Sequence, residues 1–153
     1  MSDREATLKE KFKLALTSTA RVISDDFESN KKPPETKKSK DLDIDGIDNL
    51  NNPGDFIRLR AETDSKALKK KFSNDSIYKK NLPSNNSSRS LYSIAEKIRC
   101  EVLGGKMLKG IEKNFNENYV QVINRKRKDQ LKTKEDVPVA EAFELYMLKN
   151  FHQ

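Results

Sequence analysis

The chain has 153 residues, of which 36% are charged and 34% hydrophobic, so it is long enough for one domain but part of it is too polar to enter a core. A single cysteine, Cys100, excludes an internal disulfide and a cysteine-based zinc cluster, and the one histidine, His152, argues against catalysis or metal binding through imidazole. The first 20 residues contain no signal-peptide core, and no stretch reaches the roughly 18 apolar residues of a membrane span, which predicts a soluble, cytoplasmic protein.

The charge is distributed unevenly along the chain. Residues 1–55 hold 10 basic and 12 acidic residues, whereas residues 56–153 hold 21 basic and 12 acidic residues. A basic C-terminal part suggests an acidic partner. However, 23 of the 31 basic residues are lysines and asparagine is abundant, a combination that also arises from a biased genome. Charge alone therefore does not identify the partner.

The first predicted element is an N-terminal helix. Ser2 and Glu5 form a capping-box pair, and apolar residues then recur at helical spacing, which predicts a helix over 3–22. This apolar face consists of Leu8, Phe12, Ala15, Leu16, Ala20 and Ile23. Residues 24–54 are polar and contain three prolines and two glycines, which predicts a flexible linker.

The linker contains the acidic stretch "DLDIDGIDNLNN" (41–52), which matches the first half of an EF-hand calcium loop through Asp41, Asp43, Asp45 and Gly46. The second half of the stretch does not match the calcium loop, because Asn52 replaces the bidentate glutamate of the last loop position. The preceding "KKPPETKKSK" is also a poor incoming helix. The sequence therefore favours an acidic part of the linker over a calcium site, with calcium binding no tighter than about millimolar.

Helices are predicted over most of the remainder. "DFIRLR" (55–60) suits a short strand or an extended lead-in, and second and third helices are predicted over 61–72 and 75–80. An apolar stripe from Leu91 to Val102, capped by Ser87 or Ser88, predicts the next helix. A second stripe is offset by about a third of a turn, which indicates either a break at Gly104-Gly105 or one helix serving two surfaces. Its members are Leu108, Ile111, Phe115, Tyr119 and Val122.

The last part of the chain is predicted to contain a basic connector over 124–134 and a final helix. Asp136 is the expected cap of that helix, and Pro138 is tolerated in its first turn. Its predicted apolar face consists of Val139, Phe143, Tyr146, Met147 and Phe151. The fold class predicted by all these patterns is all-α.

Two local motifs resemble ligand sites but lack essential residues. "GGKM" (104–107) resembles the end of a P-loop, but Cys100 replaces its first glycine and Met107 replaces the magnesium-binding hydroxyl residue. "RKRK" (125–128) could neutralise phosphates, but no aromatic residue interleaves with it and no nucleic-acid-binding motif surrounds it. The sequence therefore argues against nucleotide binding and disfavours nucleic acid.

The run "RSLYSIAEKIRCEVLGGKMLKGIEKNF" (89–115) resembles the N-terminal region of the CobT-type subunit of aerobic cobaltochelatase. The matching positions in this run are Arg89, Leu91, Tyr92, Glu96, Arg99, Glu101, Leu103, Gly104, Met107, Gly110 and Asn114. Further similarity lies upstream at Arg60, Asp64, Ala67 and Leu68 and downstream at Pro138, Ala140, Glu141 and Ala142. The resemblance covers most of 56–151, and the 89–115 run is its specific part. Together with the local patterns it gives three predicted parts: an N-terminal helix over 1–23, a flexible linker over 24–55 and a CobT-like helical domain over 56–153.

The resemblance also implies a function. Such a protein belongs to an ATP-dependent complex that inserts cobalt into hydrogenobyrinic acid a,c-diamide during cobalamin biosynthesis. A large subunit holds the tetrapyrrole and cobalt, a AAA+ subunit hydrolyses ATP with magnesium, and the CobT-type subunit assembles with the AAA+ ring and relays its motion. This chain would then need no cofactor, metal ligand or catalytic residue of its own, and assembly of several copies stays open. Family members continue into a von Willebrand factor A-type domain with a D-x-S-x-S metal site. That motif is absent from these 153 residues, so a fragment, truncated product or short form is expected.

Six of the matching positions fall on one stripe if a single helix runs through the glycines. They are Glu96, Arg99, Leu103, Met107, Gly110 and Asn114. This candidate seam is interpreted either as a partner-docking or helix-packing seam, with Gly110 allowing close approach, or as packing and ion-pair positions within the domain. The alternative functions from other classes are a small basic nucleic-acid-binding protein and a generic helical interaction protein.

Overall fold

Six helices make up the protein in a computed structural model that describes residues 3–25, 47, 50–129 and 137–151. They are α1 (Asp3–Ile23), α2 (Pro53–Phe72), α3 (Asp75–Lys80), α4 (Asn86–Met107), α5 (Lys109–Asp129) and α6 (Val139–Phe151). No strand occurs in the described ranges, so the all-α prediction is confirmed. None of the described helices is apolar over a length that would cross a membrane.

Helix α2 begins earlier than the sequence analysis predicted. Asn52 accepts a hydrogen bond from the Asp55 N–H at 3.1 Å, and the Asp55 carboxylate accepts from the N–H groups of Asn51 and Asn52 at 3.1 Å each. This is a reciprocal capping box with Pro53 at the first helical position, where its missing N–H costs nothing. The prediction of a strand or extended segment over 55–60 is therefore wrong, because those residues lie in the first turns of α2.

Chain contacts divide the protein into two compact units, Met1–Lys71 and Phe72–Gln153. The first unit contains α1 and all but the last residue of α2, and its core is formed by Leu16, Leu50 and Leu59 with Phe12, Ile47 and Phe56 packed against it. The rings of Phe12 and Phe56 meet edge to face with centroids 5.0 Å apart. The apolar stripe predicted for α1 is buried from Leu16 onward, whereas Leu8 is exposed.

In the second unit, asparagine side chains cap the N-termini of α3 and α4. Asn85 precedes α4, and its side chain accepts from the N–H groups of Ser87 and Ser88 at 2.8 and 3.4 Å. The prediction that Ser87 or Ser88 is the cap is therefore wrong, because both already lie within the first turn of the helix. Asn74 caps α3 in the same way. Helix α3 has the predicted bounds, and the rings of Tyr78 and Tyr92 stack with centroids 5.0 Å apart.

Helices α4 and α5 form an antiparallel hairpin, and α6 also packs against α4. Helix α4 continues through Gly104-Gly105 and ends at Met107, and Leu108 has an extended backbone with φ −135° and ψ 105°. The helical conformation is therefore interrupted at Leu108, four residues beyond Gly104. This interruption explains the offset between the two apolar stripes. The hairpin buries Ile98, Cys100, Ile111, Phe115 and Tyr119.

The prediction of a basic connector over 124–134 is wrong for its first residues, because α5 remains helical to Asp129. Helix α6 begins at Val139, and Pro138 accepts a hydrogen bond from Ala142 immediately before the first turn. Leu148 is the buried residue of α6, whereas three members of its predicted apolar face are more than half exposed. These three are Val139, Tyr146 and Phe151.

Several predictions fall on residues 1–2, 26–46, 48–49, 130–136 and 152–153, which lie outside the described residues. They include the Ser2 cap, most of the linker and acidic stretch, and the Asp136 cap. The domain boundaries predicted at 23/24 and 55/56 stay predictions.

Candidate functional site

Glu96 and Arg99 form the ion pair that their spacing on α4 predicts. The Arg99 Nε and Nη2 donate to the two oxygens of Glu96 at 2.7 and 2.8 Å, and Nη2 also donates to the carbonyl of Phe72 at 2.9 Å. The hydrogen bond to Glu96 raises the pKa of Arg99 above its usual value, so the guanidinium stays charged. The arginine thus connects α4 to the main chain of Phe72, the first residue of the second unit. A packing role for these two residues follows directly from this geometry.

The other four seam residues are divided between two helices. Leu103 and Met107 lie on α4 and are partly exposed, whereas Gly110 and Asn114 lie beyond the break at Leu108, on α5. Asn114 is buried in the hairpin. The structure therefore brings together only Glu96, Arg99, Leu103 and Met107 as neighbours along one helix face.

Close helix approach occurs at a different glycine from the one predicted. A Cβ added at Gly105 would lie 3.3 Å from the Cβ of Glu112, whereas one added at Gly110 would meet no atom within 4 Å. Among the described residues, close approach therefore occurs at Gly105, which lies against Glu112 of α5. A partner contact at Gly110 stays a prediction.

A buried polar network was missed by the sequence analysis, which placed Tyr119 in an apolar stripe. The Tyr119 hydroxyl donates to Glu101 at 2.5 Å, and both residues are less than a tenth exposed. Burial, followed by the charge of Glu101, raises the pKa of Tyr119. The ammonium of Lys97 lies 5.5 Å from the Tyr119 ring centroid and pairs with Glu144 of α6 at 3.2 Å. Charged and polar groups therefore connect α4 to both α5 and α6.

The surface of the second unit carries an apolar groove between α4 and α6. It has a volume of about 240 Å³, is partly open to solvent, and is lined by Ala95, Ile98, Arg99, Val102, Leu103, Met147 and Phe151. Ile98 forms a buried floor, whereas Leu103 and Phe151 remain 37% and 54% exposed. Two seam residues, Arg99 and Leu103, therefore belong to this groove. The contribution of α6 could not be inferred from the spacing within α4.

The described residues contain no cluster of three or more histidine, cysteine, aspartate or glutamate side chains that could hold a metal ion. At the end of the acidic stretch, Asn52 and Asp55 are engaged in capping α2. The aspartates at 41, 43 and 45 lie outside the described residues, so weak calcium binding there stays a prediction.

These features define an all-helical protein with a helical hairpin, a third helix packed against it and a half-open apolar groove. A family model described as CobT, cobalamin biosynthesis protein CobT, matches residues 6–150. The chain therefore belongs to the CobT family, and its role lies in cobalamin biosynthesis. Comparisons with curated proteins and with solved structures gave no significant match.

Proposed function

We propose that the chain is a non-catalytic assembly and coupling subunit of a cobaltochelatase that inserts cobalt into hydrogenobyrinic acid a,c-diamide. The observation that carries this proposal is the family match over residues 6–150. The 89–115 run, which resembles the CobT-type subunit most closely, forms nearly all of α4, the break at Leu108 and the first turns of α5. The segment that resembles the family most closely thus coincides with part of the α4–α5 hairpin.

In the proposed complex, a large subunit binds the tetrapyrrole and the cobalt substrate, and a AAA+ subunit hydrolyses ATP with magnesium. The present chain binds these subunits in the cytoplasm and transmits the motion of the AAA+ ring. A helical unit suits this task when its helices move as one body. The Arg99–Glu96–Phe72 contacts and the Lys97–Glu144 ion pair support such behaviour, because they connect α4 to its neighbours by side chains as well as by apolar packing.

The proposal is tested by mixing the full chain with the purified AAA+ and large subunits. We expect the chain to be recovered with at least one of them at physiological salt. The chain alone should neither hydrolyse ATP nor insert cobalt. Failure to recover either subunit, together with tight and salt-sensitive binding of DNA or RNA, would instead assign the chain to the nucleic-acid-binding proteins.

A further inference from the structure

The α4–α6 groove has the form of a docking surface for a protein side chain. At about 240 Å³ it is smaller than the roughly 300–1,000 Å³ of typical small-molecule sites. Its floor is buried, but its two walls end in the partly exposed side chains of Leu103 and Phe151. Grooves between two helices commonly take an amphipathic helix, whose apolar residues at positions i and i+4 fill the space between them.

The charges that border the groove favour an acidic occupant. Its two neighbouring carboxylates are already neutralised, since Glu96 pairs with Arg99 at 2.7 Å and Glu144 pairs with Lys97 at 3.2 Å. Lys106 follows Val102 and Leu103 by one turn on the same face of α4, is exposed and has no ion-pair partner among the described residues. Among the described residues beside the groove, Lys106 therefore carries an uncompensated positive charge.

A second copy of this chain fits the groove less well. In a two-fold dimer the same patch meets itself, so the two copies of Lys106 would be brought to the same interface. Like charges brought together at an interface oppose association. We propose that the groove binds an acidic amphipathic helix of a partner protein, with apolar anchors between Leu103 and Phe151 and a carboxylate near Lys106. This inference depends on the proposed function only for the identity of the subunit that supplies the helix.

A phage-displayed library of helical peptides, selected on the full chain, tests the chemistry of the groove. We expect enriched peptides to carry large apolar residues at i and i+4 flanked by Asp or Glu. Leu103→Asp should weaken their binding at least about tenfold, because one apolar anchor loses its contact. Lys106→Glu should weaken it severalfold. Val120→Asp and Lys80→Glu make the same changes at exposed positions outside the groove and should have no effect.

Circular dichroism of each variant checks that it is folded, and Phe151→Asp replaces Leu103→Asp if the latter unfolds. The inference is overturned if no helical peptide is enriched, if the selected peptides are basic, or if both groove variants bind as the wild type does. A wild-type dimer that Leu103→Asp dissociates in sedimentation experiments would assign the groove to a second copy instead.

Repeating the recovery of the AAA+ and large subunits with the same variants separates the two proposals. If the wild type and Leu103→Asp recover a subunit equally well, the groove assignment is wrong while the proposed function stands. If the wild type recovers neither subunit, the proposed function is wrong, and the peptide selection still decides what the groove binds.

Discussion

Among single residues, Tyr119 and Glu101 differ most from what a helical wheel indicates. Both face the α4–α5 contact and are almost completely buried, where an unpaired polar group would be costly. The hydrogen bond of 2.5 Å between them offsets this cost. Glu101 also matches the CobT-type pattern, so its position in this pair shows that a family-matching residue can serve packing.

Replacing Tyr119 with phenylalanine should reduce the free energy of unfolding by about 1–2 kcal/mol, because Glu101 loses a hydrogen bond in a buried site but keeps its other interactions. Urea denaturation followed by circular dichroism measures this. Tyr146→Phe removes the same hydroxyl from a side chain that is 64% exposed and should change stability very little. Equal effects of the two substitutions would contradict a buried, stabilising pair.

The same pair predicts a pH dependence. Tyrosine in the unfolded chain titrates near pH 10, and the pKa of Tyr119 is raised in the folded protein. Above about pH 10 the unfolded state therefore releases a proton that the folded state keeps, so the contribution of Tyr119 to stability falls as pH rises. The difference in unfolding free energy between wild type and Tyr119→Phe should shrink above this pH. A constant difference would show that the hydroxyl is not the group responsible.

Among the helices, α2 depends on a capping box that the sequence analysis did not recognise. Asn52→Ala should cost about 1 kcal/mol, because the side chain that accepts from the Asp55 N–H is lost. Asn51→Ala is the matched control, since Asn51 contributes its main-chain N–H to this contact. Amide hydrogen exchange should show protection over residues 57–60 in the wild type, as their N–H groups lie within the helix. Rapid exchange there would support the extended segment instead.

The α4–α5 hairpin should respond in opposite ways to substitutions at two glycines. Gly105→Leu should destabilise the protein by about 1–3 kcal/mol, because the added side chain would collide with Glu112. Gly110→Ala should stabilise it by up to about 1 kcal/mol, since alanine favours a helix and open space surrounds this position. Thermal unfolding distinguishes these results. A stable Gly110→Ala variant that no longer recovers the chelatase subunits would instead place a partner against Gly110.

For the whole molecule, the position of "RKRK" (125–128) bears on the alternative function of nucleic-acid binding. These residues belong to α5, which remains helical to Asp129. They also lie near the helix C-terminus, where positive charge is favourable. Structural stabilisation of a helix end explains the cluster without a nucleic acid.

Replacing the four residues of 125–128 with glutamine should remove most of any weak nucleic-acid binding at low salt, because each lost cation removes one phosphate contact. It should leave recovery of the chelatase subunits unchanged. A second variant, with Lys11, Lys13, Lys79 and Lys80 replaced by glutamine, removes the same charge from exposed positions elsewhere. Gel-shift titrations at two salt concentrations compare the variants. Sequence-specific binding that only the 125–128 variant loses would favour the nucleic-acid alternative.

The sequence by itself determined the helical class, the bounds of α1 and α3, and the family, because apolar periodicity and motif spacing are local properties of the chain. It also identified the Glu96–Arg99 pair, since residues three apart on a helix are neighbours. The start of α2 was equally local in origin, but its Asn-Pro-Gly-Asp signal contains two residues that were interpreted as breakers.

Only the tertiary structure decided where the helices meet. Whether Gly105 or Gly110 permits close packing depends on the path of α5 after the break at Leu108, which no spacing within α4 specifies. The apolar groove requires side chains from α4 and α6, two helices separated along the chain by the whole of α5. Burial and pairing of this kind arise from contacts between distant segments, so they cannot be inferred from the periodicity of either segment alone.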